Sequence, residues 1–465
     1  MPGTAQSEES SGLVERLLRP FGEVRAAEAL TMLLMFANIF AIQAGYNVLK
    51  TVREPLIINT GDIEGIGGAE LKSFASAGQV LLLAGFIPLY GWFASRVDRV
   101  RLILGFNAFF VACIELFFVA GRAGVPYTGI AFFVWIGIFS YSVVAQFWSY
   151  ANDIYTRQQG ERLFPIIVVG MTAGAALGPR IAASLFEAGV DPYSMMQLGA
   201  GALVLSVLLY WLVERREERQ PASVAATGAK LGGKGAFALI AGSRYLILIA
   251  LTLMLSNWVN TNGEYILDRL ISAHALTLPE GALRDQYVGS FRGNFFFAVN
   301  VSAALIQILL VSRIVKFLGI AGVIFALPII AFGAYGLIGL GAGFAVTRWA
   351  KTAENATDYS VMNTAKQMLW LPTTREQKYK AKQATDTIFV RIGDLLTAGT
   401  VFVGTVLVGL GVAGFATINL AIVAAWLAVG WMLYRENRDL VALQATEGAP
   451  SSGGIPSRSA ANQLG

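Results

Sequence analysis

Cysteine and histidine are all but missing: 465 residues contain one of each, Cys113 and His274. A single cysteine forms no intramolecular disulfide, and one cysteine and one histidine in separate segments supply neither a metal-ligand cluster nor a Cys/His nucleophile pair. No metal, cofactor or catalytic residue is expected. Charge is scarce too, at 14% against 55% hydrophobic residues, and mean hydropathy is +0.59. That balance excludes an ordinary soluble protein of this length. No GxxxxGK[ST] sequence occurs, and Gly232-Gly233-Lys234 lies in a polar stretch with no strand before it, so the P-loop route to ATP hydrolysis is absent. The first 27 residues are polar, include Arg16, Arg19 and Arg25, and hold no apolar run ending in a small-residue cleavage site. No signal peptide is expected, and the first hydrophobic run reads as a retained helix.

What the chain has in abundance is apolar runs of roughly 20 residues, the length that crosses about 30 Å of hydrocarbon at 1.5 Å per residue. Twelve are read, at about 28–49, 74–94, 102–120, 127–150, 163–187, 194–213, 244–266, 290–311, 318–342, 346–371, 384–408 and 412–434. The expected fold class is an all-α membrane protein of about 12 transmembrane helices. Loops after the even-numbered helices carry Arg96, Arg99, Arg101, Arg157, Arg162, Arg215, Arg216 and many further bases, whereas the opposite loops hold only Lys72, Arg122, Arg269, Arg284 and Arg292. Both termini are therefore expected on the cytoplasmic side of a bacterial inner membrane. The net charge of +5 follows from this topology and calls for no nucleic-acid surface.

The chain also repeats itself. Ser73-Phe74 and Ser95-Arg96 are 22 residues apart, and Ser290-Phe291 and Ser312-Arg313 reproduce both dipeptides at the same spacing, 217 positions later. Asn47–Glu54 (NVLKTVRE) matches Asn257–Glu264 (NWVNTNGE), and Thr156-Arg157-Gln158-Gln159 matches Thr374-Arg375-Glu376-Gln377. In an apolar chain such duplication points to two pseudo-symmetric bundles with a substrate site at their interface. The expected organisation is a cytoplasmic segment 1–27, a six-helix bundle 28–213, a polar cytoplasmic linker 214–243, a second six-helix bundle 244–440 and a disordered tail 441–465, an architecture that resembles the major facilitators. The Gly91–Arg101 loop resembles a charged facilitator loop, with a plain anchoring loop as the alternative. Gly170, Gly174 and Gly178 share one helix face and are read as a close packing surface.

Ionisable residues inside apolar helices carry the functional signal. Seven bases (Lys50, Arg53, Arg180, Arg348, Lys351, Lys366 and Arg391) fall within or beside the spans. At about 2.5–3.5 kcal/mol each they would together cost roughly 20 kcal/mol against lipid, so they must face water, each other or a ligand. On the tenth helix Arg348, Lys351, Asn355, Asp358, Tyr359, Met362 and Lys366 recur every three or four residues. Such a stripe should line a cavity. The alternative is a structural network in which Lys351 pairs with Asn355 and Asp358 on neighbouring turns.

At three segments the sequence resembles the nucleotide transporter family, the ATP/ADP translocases of plastids and intracellular bacteria. Asn47-Val-Leu-Lys50-Thr-Val-Arg53-Glu54 resembles its helix-1 signature, Phe147-Trp148-Ser149-Tyr150-Ala151-Asn152-Asp153 its helix-4 segment, and Lys378-Tyr379-Lys380-Ala381-Lys382-Gln383-Ala384-Thr385-Asp386 its segment before helix 11. The chain departs from the family pattern where Arg53-Glu54 stands for a lysine–aspartate pair and Ala381 for glycine. The resemblance implies a secondary transporter moving a nucleotide or related phosphate-bearing anion by exchange, with no obligate protein partner. By motif position the transport residues fall on Arg53, Asp153, Glu264 and one of Lys378, Lys380 or Lys382. Joined to the charge reading, Lys50, Arg53, Lys351, Lys366 and the Lys378–Lys382 cluster are expected to bind substrate, with Asp153 and Glu264 as gates. The alternatives are a proton-coupled facilitator for another solute and, from a different class, a scaffold or membrane enzyme. An enzyme would need a nucleophile with its base, or a metal cluster, at one depth, and neither is found.

Overall fold

The computed structural model describes residues 25–61, 63–94, 96–97, 99–216, 235–374 and 376–447. The linker reading at 217–234 and most of both termini lie outside the described residues, as do Ser95 and Asp98 of the Gly91–Arg101 loop. The first half comprises α1 (Ala26–Ile58), α2 (Gly68–Ala94), α3 (Arg99–Arg122), α4 (Thr128–Ile154), α5 (Arg157–Glu187) and α6 (Pro192–Arg216). After a short helix, Ala236–Ala241, the second half comprises α7 (Arg244–Ala275), α8 (282–318), α9 (320–339), α10 (344–369), α11 (377–407) and α12 (Val412–Glu447). α8 and α9 form one long helical rod broken at Gly319, whose φ of 58° and ψ of −147° are open to glycine and strained for a residue with a Cβ.

Nine stretches of the described residues are long and apolar enough to cross a membrane, one of them, Ala282–Gly339, containing two helices. Outward-facing side chains such as Leu81, Leu116, Ile308 and Phe317 are exposed, as lipid-facing surface requires. The protein is a multi-pass membrane protein. Each half has its own hydrophobic core, one built around Phe110, Phe132 and Phe147 and the other around Tyr335, Phe415 and Trp426. A third, smaller cluster joins Ile57 and Phe133 of the first half to Leu267, Phe295 and Phe296 of the second.

The sequence repeat has a direct structural meaning at two helix starts. Thr156 and Gln159 exchange hydrogen bonds at the head of α5, at 2.9 and 3.3 Å. Thr374 and Gln377 do the same at the head of α11, at 3.0 and 3.3 Å. These are reciprocal capping boxes, which satisfy otherwise orphaned backbone donors. On α5 the small-residue face meets the backbone of α1: a Cβ at Gly174 would fall 2.5 Å from Phe40 O, and one at Gly178 2.5 Å from Ala44 O.

The hydropathy spans stop short of the observed helices. α1 runs to residue 58 rather than 49, α2 starts at 68 rather than 74, α7 runs to 275 rather than 266, and α8 starts at 282 rather than 290. Lys72, Arg122, Arg269, Arg284 and Arg292, read as loop residues, are all helical. The reason is energetic. A helix continues through charged turns when those charges neutralise one another, so hydropathy marks where apolar sequence ends and not where the helix does.

Candidate functional site

The extended turns converge at one end of the molecule, where α1 and α7 finish and α2 and α8 begin. Residues four apart share a helix face, so Lys50, Arg53 and Glu54 of α1, Lys72 and Ser76 of α2, Asn260, Glu264 and Asp268 of α7, Phe296 of α8, and Asn355 and Tyr359 of α10 line one cavity of about 180 Å³. Phe133 of α4 adds an aromatic wall.

Behind part of that wall lies a network of three bases and three acids. Lys72 Nζ donates to Glu54 Oε2 and lies 3.0 Å from Asp268 Oδ2. Arg292, fully buried, reaches Glu54 at 3.5 Å and Glu264 at 3.0 Å, and also pairs with Asp268. Arg53 closes the set on Glu54 Oε1 at 3.1 Å. Taking an ion out of water costs several kcal/mol even after relaxation, so a buried group of six survives only because its charges sum to zero and its lone pairs are occupied. Pair energies at these distances are of order 4 kcal/mol at an effective dielectric of 20.

The network also crosses between the halves, since Glu54 and Lys72 belong to the first and Asp268, Glu264 and Arg292 to the second. Other polar contacts join the halves at the same end: Asn59 to Asp285 at 2.8 Å, Tyr265 to Glu70 at 2.7 Å, and Arg180 to Asn294 at 2.6 Å. Tight backbone packing accompanies them, because a Cβ at Gly293 of α8 would sit 2.5 Å from Pro179 O of α5. The arrangement is a lock on one end of the interface between halves.

Of the residues marked from sequence, Lys50, Arg53 and Glu264 line the cavity. Lys50 Nζ sits 4.5 Å from the centre of the Phe296 ring across the interface. Arg53 lies 4.4 Å over Phe133. Lys351 is buried just behind the wall, donating to Asn260 Oδ1 at 2.6 Å and lying 3.2 Å from Glu354. It does not pair with Asn355 or Asp358, as the network alternative required: Asn355 instead donates to Glu264 at 2.7 Å, and Asp358 lies 3.8 Å from Lys366. Lys366, Lys378, Lys380 and Lys382 do not line the cavity. Lys378 donates to Leu371 O at 3.1 Å, Lys380 pairs with Glu376 at 3.1 Å, and Lys382 donates to Gln367 at 2.7 Å. They belong to the opposite end, because the far end of α11 is the one whose Phe402 packs on Phe74 near Lys72. Asp153 is exposed in the last turn of α4, also away from the cavity. Glu54, Lys72, Asp268 and Arg292 are the network residues that sequence reading left out of the site.

No family model matches the sequence. Curated relatives do. Over 454 residues the chain is 24% identical to ADP,ATP carrier protein 1 of Chlamydia pneumoniae, covering 81% of this chain and 86% of that protein. Over 440 residues it is 21% identical to ADP,ATP carrier protein 2 of Chlamydia trachomatis, covering 77% and 79%. The chain is thus similar over about four fifths of its length to ADP,ATP carrier proteins. Solved structures agree on the fold. A bacterial homologue of the iron transporter ferroportin in its inward-facing state superposes with a TM-score of 0.61 at 13% identity, covering 87% of this chain and 98% of that one. A bacterial homologue of the lysosomal transporter Spinster, inward-facing and unoccupied, gives 0.60 at 15% identity, covering 90% and 98%. The chain thus has the helical fold of these transporters, the major-facilitator fold.

Proposed function

We propose that the protein carries a nucleotide of the ATP/ADP kind, or a related phosphate-bearing anion, across the membrane by alternating access and by exchange. The observation that carries this reading is the charge arithmetic around the cavity. Three acids balance three bases, and Lys50, its ammonium over the Phe296 ring, remains in the same cavity as a further cation that forms no salt bridge among the described residues. Lysine and arginine are good phosphate partners, and a site screened from water strengthens each contact. The relatives, ADP,ATP carrier proteins, supply the substrate class.

The same arithmetic gives a coupling mechanism. Phosphates drawn to Lys50 and Arg53 take Arg53's charge from the lock, which leaves Glu54, Glu264 and Asp268 with only Lys72 and Arg292. One carboxylate is then uncompensated, and the closed end is destabilised only when the site is loaded. An empty carrier keeps its lock, which favours exchange over leak. The cavity of about 180 Å³ is below the roughly 300–1,000 Å³ of ligand pockets, so loading also requires the halves to part. Glu264 is a gate at this end and Asp153 a gate at the other. Lys351 is released from Asn260 and Glu354 as the second half moves, and Lys366, Lys378, Lys380 and Lys382 draw the anion towards the opposite mouth. In this reading residues 28–213 and 244–440 move as units, both termini face the cytoplasm of a bacterial inner membrane, and the lock faces away from it.

Uptake of labelled ADP into proteoliposomes, with and without ADP inside, tests the reading. Internal ADP should stimulate uptake several-fold while an imposed pH gradient does not. Uptake driven by the gradient and indifferent to internal nucleotide would instead support a proton-coupled facilitator.

A further inference from the structure

Asn355 and Tyr359 stand one turn apart on α10, and both line the cavity. The helix widens at that point, over Asp358–Met362. Such π-type irregularities re-aim side chains and recur at functional sites. Tyr359 keeps 46% of its surface exposed, so an aromatic face is available to a planar ligand.

Asn355 is only 4% exposed, and its Oδ1 is buried with no hydrogen-bond partner. Its amide orientation is set by chemistry. Glu264 Oε1 accepts from Asn355 Nδ2 at 2.7 Å and Oε2 accepts from Arg292 at 3.0 Å. An ionised carboxylate only accepts, so the amide must turn its NH₂ towards Glu264 and keep its oxygen for another donor. A buried acceptor left unpaired is costly, and when the halves part to admit a substrate, an N–H brought to this wall can relieve that cost. The cations Lys50 and Arg53 come from α1, whereas α7 and α10 present no cation to the cavity, only Asn260, Thr261, Asn355 and Tyr359 beside the already paired acids Glu264 and Asp268. The two walls suit the two ends of a nucleotide.

We infer that Asn355, oriented by Glu264, is the specificity-determining residue for the nucleobase: its Oδ1 accepts from the exocyclic amine of an aminopurine stacked on Tyr359, with the phosphates on Lys50 and Arg53. The assignment rests on reading the cavity as a nucleotide site. A purine with an oxo group in place of the amine sets one acceptor against another. Glu264 acts here as a positioning residue, because it holds the amide in the reading orientation.

The test is equilibrium binding of ADP and of inosine diphosphate to the purified full-length chain, as wild type, Asn355→Leu, Glu264→Gln and Tyr359→Leu, each checked for folding by thermal shift. Wild type should favour ADP by about tenfold, the value of one well-placed hydrogen bond against a mismatched acceptor. Asn355→Leu should bring the ratio close to one by weakening ADP. Glu264→Gln should also erode it while ADP still binds, since a carboxamide can donate or accept and lets the Asn355 amide turn. Tyr359→Leu should weaken both nucleotides in proportion. Equal wild-type affinities, or an unchanged ratio in Asn355→Leu, overturn the assignment, and an unchanged ratio in Glu264→Gln overturns the positioning role. If Asn355→Leu does not fold, the wild-type and Glu264→Gln ratios decide. A wild type that binds neither nucleotide overturns the reading of the site itself.

Discussion

Replacing Arg292 with glutamine should unlock one end of the transporter. Arg292 is fully buried and is the one base that reaches all three acids, Glu54, Glu264 and Asp268. Removing it leaves two bases for three carboxylates in a largely buried site, and breaking a buried ion network in this way costs about 3–5 kcal/mol. That cost is avoided if the end opens and hydrates the spare carboxylate. At about 1.4 kcal/mol per tenfold, the closed state should lose about two to three and a half orders of magnitude in population relative to the open one. The assay is a distance measurement by pulsed electron paramagnetic resonance. Spin labels go at Ala123 in the α3–α4 loop and Thr277 in the α7–α8 loop, both exposed, with Cys113, the single native cysteine, replaced by serine. Arg292→Gln should lengthen the inter-label distance, and Arg292→Gln with Asp268→Asn should shorten it again, because the double change restores neutrality. An unchanged distribution in Arg292→Gln, or a double variant more open than the single, would refute the charge-balance argument.

Three further outcomes follow from the same structure. Arg53→Gln should raise the KM for ADP about 10- to 100-fold, since one charge-assisted phosphate contact contributes about 1.5–3 kcal/mol; uptake kinetics check this, and an unchanged KM removes Arg53 from the site. Glu264→Gln should slow turnover while equilibrium binding of ADP survives or tightens, because it weakens the lock without removing a phosphate ligand; loss of all binding in a folded protein would make Glu264 a direct ligand. Gly319→Ala should lower stability by about 1–2 kcal/mol, from the strain of a Cβ at that φ; a thermal midpoint equal to wild type would show that the α8–α9 turn relaxes at no cost.

Most of the fold was legible because lipid imposes a simple rule, that spans are apolar and about 20 residues long. The repeat was legible because equivalent helices keep equivalent caps, as at Thr156 and Thr374. The site was only half legible. Lys50, Arg53 and Glu264 stood inside the family-like and repeated segments, so their chemistry could be seen before their contacts. Lys72, Asp268 and Arg292 were hidden by the property that makes them important. They sit where hydropathy falls, and the helices run through them because each charge finds an opposite charge across the interface, Lys72 with Asp268 and Arg292 with Glu54. A signal existed in the matched pair Glu54 and Glu264: two acids at equivalent places on α1 and α7 demand bases, and the adjoining α2 and α8 supply Lys72 and Arg292. The Lys378–Lys382 cluster shows the opposite case. A basic run is conspicuous in sequence, yet its position on the fold, at the far end from the lock, needed the course of α11.

The central claim is that the cavity beside the lock is the nucleotide site, and binding of ADP to purified protein tests it most directly. Titration calorimetry on wild type, on Lys50→Gln with Arg53→Gln, and on Lys380→Gln separates the cavity from the distal cluster. The account predicts that the cavity double variant loses about 100-fold or more in affinity, from two charge-assisted contacts, while Lys380→Gln stays within a few-fold of wild type. Unchanged affinity in the double variant, with binding abolished in Lys380→Gln, would contradict it.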